Sequence, residues 1–168
     1  MLNTLRRNKV RRQIAAQLYA ILVERAREPV FFERFGVPDT LDGRFDLVAL
    51  HAWLLLDRLQ DASLAQELVD AVFIGFDEGL RELGAGDIGM GKRTKRLAAA
   101  FYGRLEAYAG APDEIAMQAV LTRNLYRGRH EASADALARY VLSAKAHLAG
   151  CNLEGGQGDF GPLPEVFA

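Results

Sequence analysis

Apolar residues recur every three or four positions through six successive stretches of this chain, with proline, glycine or turn residues between them. That period is the signature of helices that each bury one face, so the chain reads as all-α: a single compact multi-helix domain of about six helices. The first helix is expected over about residues 4–27, with Val10, Ile14, Leu18, Ile21 and Leu22 inward and Pro29 ending it. Phe31, Phe32 and Phe35 then anchor a short turn. The following VPDTLDGRFD combines Pro38, Asp39, Asp42 and Gly43 in consecutive turn chemistry. A second helix continues to Gln60, with Leu47, Leu50, His51, Leu54, Leu55 and Arg58 on one face and Trp53 to the side. Ser63, with Gln66 three residues on, reads as the capping box of a third. Its stripe is Leu64, Leu68, Phe73, Phe76, Leu80 and Leu83. Leu97, Phe101, Leu105 and Tyr108 mark a fourth. Pro112, Asp113 and Glu114 open a fifth, whose Ile115, Ala119, Leu125 and Tyr126 lead to a stop at Gly128. Ser133 starts a sixth, carrying Leu137, Tyr140, Val141, Ala144 and Leu148. Residues 1–150 are thus expected to form the helical domain. Residues 151–168, rich in glycine and proline, form a flexible irregular tail from which Phe160, Val166 and Phe167 can dock.

The run LGAGDIGMGKRTKR at residues 83–96 leads four glycines into a cluster of positive charge. Gly84, Gly86 and Gly89 satisfy G-x-G-x-x-G, and Gly86, Gly91 and Lys92 satisfy G-x-x-x-x-G-K. Both patterns take their meaning from a β-strand that enters the loop and a helix whose N-terminus faces the phosphates. Here the preceding stripe is helical, and Arg93 stands where a hydroxyl would hold magnesium. A protein that takes a phosphate or nucleotide ligand on the 84–92 loop is the alternative reading. Gly84 falls where a helix ends and a left-handed residue satisfies the last carbonyls. Gly86, Gly89 and Gly91 exceed what one helix stop requires, which implies a tight bend, a close approach by another element or partner, or an anion-binding nest. Lys92, Arg93, Lys95 and Arg96 then crowd a helix start that intrinsically prefers negative charge. Such a pattern is either retained for a partner or is a solvated basic face.

Charge is segregated along the chain. The 21 basic and 22 acidic residues nearly cancel, so no DNA partner is expected. Yet Arg6, Arg7, Lys9, Arg11 and Arg12 meet no acid before Glu24, while carboxylates dominate residues 39–87. A dipolar surface of this kind orients a protein against an anionic membrane, ribosomal RNA or a charged partner. A peripheral, anionic-lipid-binding helical protein using residues 4–12 is a further alternative. The apolar stretch IAAQLYAILV resembles a short signal core, but Gln17 and Tyr19 interrupt it and no small-residue cleavage site follows. No uncharged apolar run reaches the roughly 18 residues of a membrane span. The single cysteine, Cys151, cannot form an intramolecular disulfide, and a reduced, cytoplasmic setting fits, with peripheral contact at the inner face of the cytoplasmic membrane.

Catalytic chemistry has no evident seat. His51, His130 and His147 have no spacing that places two metal ligands on one helix face, and no G-x-S-x-G elbow is present. His51 on an apolar face reads as a core histidine with a hydrogen-bonded ring. The Glu24 and Glu28 pair sits beside Arg25 and Arg27, as on a solvated face, and Cys151 has no adjacent base. No catalytic residue, metal ligand or cofactor is therefore assigned.

The strings VPDTLDGRFDLVALHAWLLLDRL, LAQELVDAVFIGFDEGLRELGAGDIGMGKRTKRLAAAFYGRL and LTRNLYRG resemble the ubiquinol-cytochrome c chaperone family, across about residues 20–141. The most specific parts are VPDT with DGRFDL at residues 37–47, Leu50 with His51, and GDIGMGKR at residues 86–93. The resemblance is to the short bacterial form, which has no long presequence. It implies a helical, non-enzymatic assembly factor that binds nascent or newly inserted cytochrome b and promotes assembly of the ubiquinol-cytochrome c reductase. Mitochondrial members work at the ribosomal exit with a small partner protein. On this reading the candidate partner-binding residues are Asp39, Asp42, Arg44 and Asp46 in the acidic turn. To these are added Gly86, Asp87, Gly89, Gly91, Lys92, Arg93, Lys95 and Arg96 at the basic edge. The carboxylates, among them Asp39, Asp42, Asp46 and Asp87, are expected to pair with positive loops of the client, and the cations to meet the ribosome or an anionic membrane surface.

Overall fold

The all-helical expectation holds, and one helix is buried on every side. The computed structural model describes residues 2–84, 86, 89–129 and 132–165, with backbone alone at Leu2 and Met90. Its long helices are α1 (Leu2–Ala26), α3 (Leu41–Leu56), α4 (Ala62–Glu82), α5 (Met90–Ala109), α6 (Glu114–Asn124) and α7 (Ala134–Ala149), and no strand occurs among the described residues. The expected turn around Phe31 is itself a short helix, α2 (Pro29–Glu33), which Pro29 opens at a position where its missing N–H costs nothing. The sequence predicts one apolar face for α3. Instead Ala49, Ala52 and Trp53 are buried along with Leu47, Leu50, Leu54 and Leu55, so beyond its mostly exposed first turn the helix is enclosed nearly all round and forms the centre of the core.

The other helices wrap this axis. α1 packs on α3 and α4, α5 and α7 lie against α3, and α6 pairs with α7. Arg12 reaches Glu67, and Tyr19, seven residues further along α1, abuts Gly75, eight further along α4. The contacts advance in step, so α1 and α4 run in the same direction. The inward positions of α7 are as expected, and Leu125 and Tyr126 are buried after α6. Four details differ. Val10 on α1 is exposed, and Ile115 is 80% exposed with Ala119 also outward, because α6 turns Met117, Val120 and Leu121 to the core instead. The cap of α4 is Asp61 rather than Ser63. Its carboxylate accepts from the Ser63 and Leu64 amides, and Gln66 donates to Asp70 and takes no part in a capping box. Pro112 lies outside α6, which Asp113 caps by accepting from the Ala116 amide.

Residues 151–165 are irregular apart from a 3-10 turn at Leu153–Gly155, and they pack on the helices. Leu153 and Phe160 are buried. Phe160 stands edge-on to His51, and Arg25 donates to the Gly161 carbonyl at 2.7 Å. Val166 and Phe167 lie outside the described residues.

Candidate functional site

The C-terminal halves of α1 and α4 and the N-terminal halves of α3 and α5 enclose a cleft of about 570 Å³. Tyr19 and Val23 of α1, Phe45 and Val48 of α3, and Phe76 and Leu97 of α4 and α5 give it apolar walls. Two glycines one turn apart shape the α4 wall. At Gly75 a Cβ would run into the Tyr19 hydroxyl, whereas at Gly79 it would meet open space. Each helical glycine costs about 1 kcal/mol relative to alanine, so the pair marks a wall kept thin. Leu41 and Leu83, 50% and 68% exposed, flank the opening.

Arginines dominate the charge of this cleft. Arg27, Arg44, Arg93, Arg96, Arg104 and Arg127 line it, against Asp42 and Glu82. The six guanidiniums fall into two groups. Arg104 and Arg127 converge on Asp46, with Arg104 Nε donating to Oδ1 at 2.6 Å and Arg127 Nη2 lying 2.8 Å from Oδ2. Arg127 also lies 3.8 Å from Asp42, and Arg44 is paired with Asp39 at 2.8 Å. Arg27, Arg93 and Arg96 have no ion-pair partner among the described residues.

Asp46 is the surprise of the acidic turn. It is 0% exposed, held between two arginines that are 58 and 81 residues distant in sequence. Burial pushes its carboxyl up to about 6 while Arg104 and Arg127 pull it down. A side chain sealed in this way is closed to any binding partner. Its effect on the cleft passes through the two arginines it fixes. The Gly43 in the same turn is needed because a Cβ there would strike the Pro38 carbonyl oxygen, and the Thr40 hydroxyl caps α3 by accepting from the Gly43 amide.

The structure therefore brings Asp42, Arg44, Arg93 and Arg96 together from the two ends of the predicted site. Asp39 joins only through Arg44. Lys92 and Lys95 are exposed on the outer side of α5 and do not line the cleft. Among the described residues none closely approaches Gly86, Gly89 or Gly91, since a Cβ at each would meet open space. Gly89 is required by its backbone, φ 92°, as the residue that starts α5. Gly84 stops α4 as expected, at φ 81° with its amide donating to the Arg81 carbonyl. Asp87 lies outside the described residues, as does His130. A helix, α4, enters the glycine run where a phosphate loop needs a strand.

His51 is a core residue. Leu47 offers only a carbonyl, so Nδ1 carries the proton and donates to it at 2.8 Å, and Nε2 accepts from the Tyr140 hydroxyl at 2.9 Å. Burial lowers its pKa to about 4, leaving it neutral.

Tyr19, Val23, Arg27, Arg104 and Arg127 were missed from sequence. Their signal is tertiary, because each helix shows its own stripe and none shows which stripes leave a gap. The glycines one turn apart in VFIGFDEGL were the local clue.

Residues 33–154 match the sequence model of the family described as ubiquinol-cytochrome C chaperone. The chain is 27% identical over 129 residues to ubiquinol-cytochrome-c reductase complex assembly factor 1 of Xenopus laevis, covering 72% of this chain and 64% of that protein. It thus spans under two thirds of that relative's length. The crystal structure of the Cbp3 homolog from Brucella abortus superposes with a TM-score of 0.79 at 37% identity, over 92% of this chain and 94% of the other.

Proposed function

The chain belongs to the ubiquinol-cytochrome c chaperone family, and from that premise we propose that it is a non-catalytic assembly chaperone which binds newly made cytochrome b and promotes assembly of the ubiquinol-cytochrome c reductase. The observation that carries this reading is the end of the bundle where α3 and α5 begin. Exposed Leu41 and Leu83 stand there beside Arg27, Arg93 and Arg96, which have no ion-pair partner among the described residues. A client released from the ribosome presents apolar helix surface, and a holder needs an apolar seat to cover it and fixed charge to orient it.

The sign of that charge revises the division of labour. Asp39 and Asp46 are already paired with arginines of the chain, so they are not free for positive client loops. Asp42, its side chain 82% exposed and 3.8 Å from Arg127, is the most open carboxylate of the described turn. The cleft arginines favour an anionic partner group. Lys92 and Lys95 on the outer side of α5 face a second anionic surface, either the ribosome or the inner leaflet of the cytoplasmic membrane. No helix among the described residues is long and apolar enough to cross a membrane, so contact with a bilayer would be peripheral.

Deleting the coding sequence from its host tests the assembly role. Assembled reductase should be depleted while cytochrome b transcript persists, and tagged protein should co-purify with newly labelled cytochrome b. Normal reductase spectra and activity in the deletion strain would refute the proposal.

A further inference from the structure

The volume of the cleft limits how much polypeptide can enter it. One turn of helix with side chains, roughly 10 Å across and 5.4 Å long, fills on the order of 420 Å³. The cleft, at about 570 Å³, holds little more than that. It falls instead within the roughly 300–1,000 Å³ of pockets that take small ligands. Val23, Val48, Phe76, Leu97 and Ala100 offer hydrocarbon to whatever enters, and Gly79 leaves open space where a side chain would otherwise intrude. Apolar wall left to water is unfavourable in proportion to its area, and an alkyl chain relieves it.

Charge selects the other end of the ligand. Arg27 comes from the residue after α1, and Arg93 and Arg96 from the first two turns of α5. All three are exposed, line the same cleft and lack ion-pair partners among the described residues. Of the two carboxylates that line the cleft, Asp42 lies 3.8 Å from Arg127, which leaves Glu82 against three uncompensated guanidiniums. The excess is cationic. Guanidinium forks bind carboxylate and phosphate bidentately, better than any other side chain does.

We propose that this cleft binds a single acyl chain through its hydrocarbon, with the chain's anionic head group held by Arg27, Arg93 and Arg96. A free fatty acid and an anionic phospholipid that lends one chain share this chemistry. The inference goes beyond the assembly reading and stands without it. Together they describe a holder of membrane-protein segments that also grips the lipid phase.

A dansyl-labelled fatty acid titrated into the full chain, then displaced by oleate, measures the site directly. Vesicles of phosphatidylglycerol with phosphatidylcholine, set against phosphatidylcholine alone, separate the two sources. Displacement by oleate without vesicle binding assigns the free acid. Binding to the anionic vesicles assigns the phospholipid. Gly79→Leu puts a branched side chain into the open space and replaces a helical glycine by a strong helix former, so it should melt no lower than the parent yet take up no probe. The R93E/R96E variant, changed only at exposed positions, should bind the probe roughly tenfold or more weakly. Absence of saturable probe binding to the parent chain, or equal binding by the parent and both variants, overturns the proposal. If Gly79→Leu loses co-purified cytochrome b while the parent takes up no probe, the cleft belongs to the client, and the acyl-chain inference fails with the assembly reading intact.

Discussion

Acid should weaken this fold through one histidine, and the effect can be isolated. Burial lowers His51 from 6.5 to about 4, against the opposing pull of the Leu47 carbonyl that accepts its Nδ1 proton. The unfolded chain takes a proton near 6.5, whereas the folded chain refuses it until about 4. The stability His51 contributes is therefore complete above 6.5 and is lost progressively as pH falls to 4, in total about 3 kcal/mol. Asp46 acts in the opposite sense. Raised from 3.8 to about 6, it is protonated in the folded chain before the unfolded one and adds stability as pH falls through that interval. The two windows nearly coincide, so the parent protein should show a shallow acid dependence that hides both. His51→Gln removes one and keeps the other. Urea unfolding followed by the fluorescence of Trp53, the sole tryptophan and 4% exposed, reports the stability of each protein. The parent should exceed the variant at neutral pH, and the gap should narrow by about 3 kcal/mol on reaching pH 4. Parallel curves would mean that folded His51 accepts its proton at the ordinary pH, and the assignment of Nε2 as acceptor from Tyr140 would fall with it.

The remaining predictions concern charge at helix ends and at Asp46. Lys92→Glu with Arg93→Glu should leave the helical spectrum intact and the melting temperature equal or higher, since each change removes an unfavourable dipole effect of about 0.3–1 kcal/mol, yet should fail to restore reductase assembly in the deletion strain. Unfolding of that variant would make the pair structural, and full complementation would make it a solvated face. Asp61→Ala should cost about 1 kcal/mol by orphaning the Ser63 and Leu64 amides, read as a fall in melting temperature of roughly 2–4 °C, and an unchanged value would return the cap to Ser63. Arg127→Gln should push the Asp46 carboxyl further up from about 6, because a cation that lowers it is gone; an unmoved carbon-13 titration would show that the 2.8 Å approach does not persist in solution.

The fold was far more legible in the sequence than the site. Periodicity located all six long helices because each buries a stripe that local spacing reveals, and the Gly84 stop was legible because glycine takes the left-handed conformation at a helix end without strain. It failed on α6, where Ile115 and Met117 are equally apolar and only the position of α7 decides which turns inward. It failed on the burial of α3, since seeing a helix as central requires knowing what lies on its far side. The basic edge was legible as charge, and Arg93 and Arg96 do line the cleft. Asp46 was not. In sequence it is one of several carboxylates in an acidic turn, and its two partners lie on α5 and after α6.

That burial explains why the cleft has two kinds of arginine. Arg104 is 13% exposed and hydrogen-bonded to a carboxylate that is itself sealed, so moving it would leave that buried carboxylate to Arg127 alone and cost stability. Asp46 therefore works as an anchor that sets where Arg104 and Arg127 stand, and its own charge is spent on them. Arg27, Arg93 and Arg96 carry no such obligation. They sit at the end of one helix and the start of another, are exposed, and have no ion-pair partner among the described residues. A fixed inner pair gives the cleft its shape and a free outer trio gives it its affinity for an anion. Substitutions in the two groups should therefore differ in kind, those at Arg104 lowering stability and those at Arg93 and Arg96 lowering only binding.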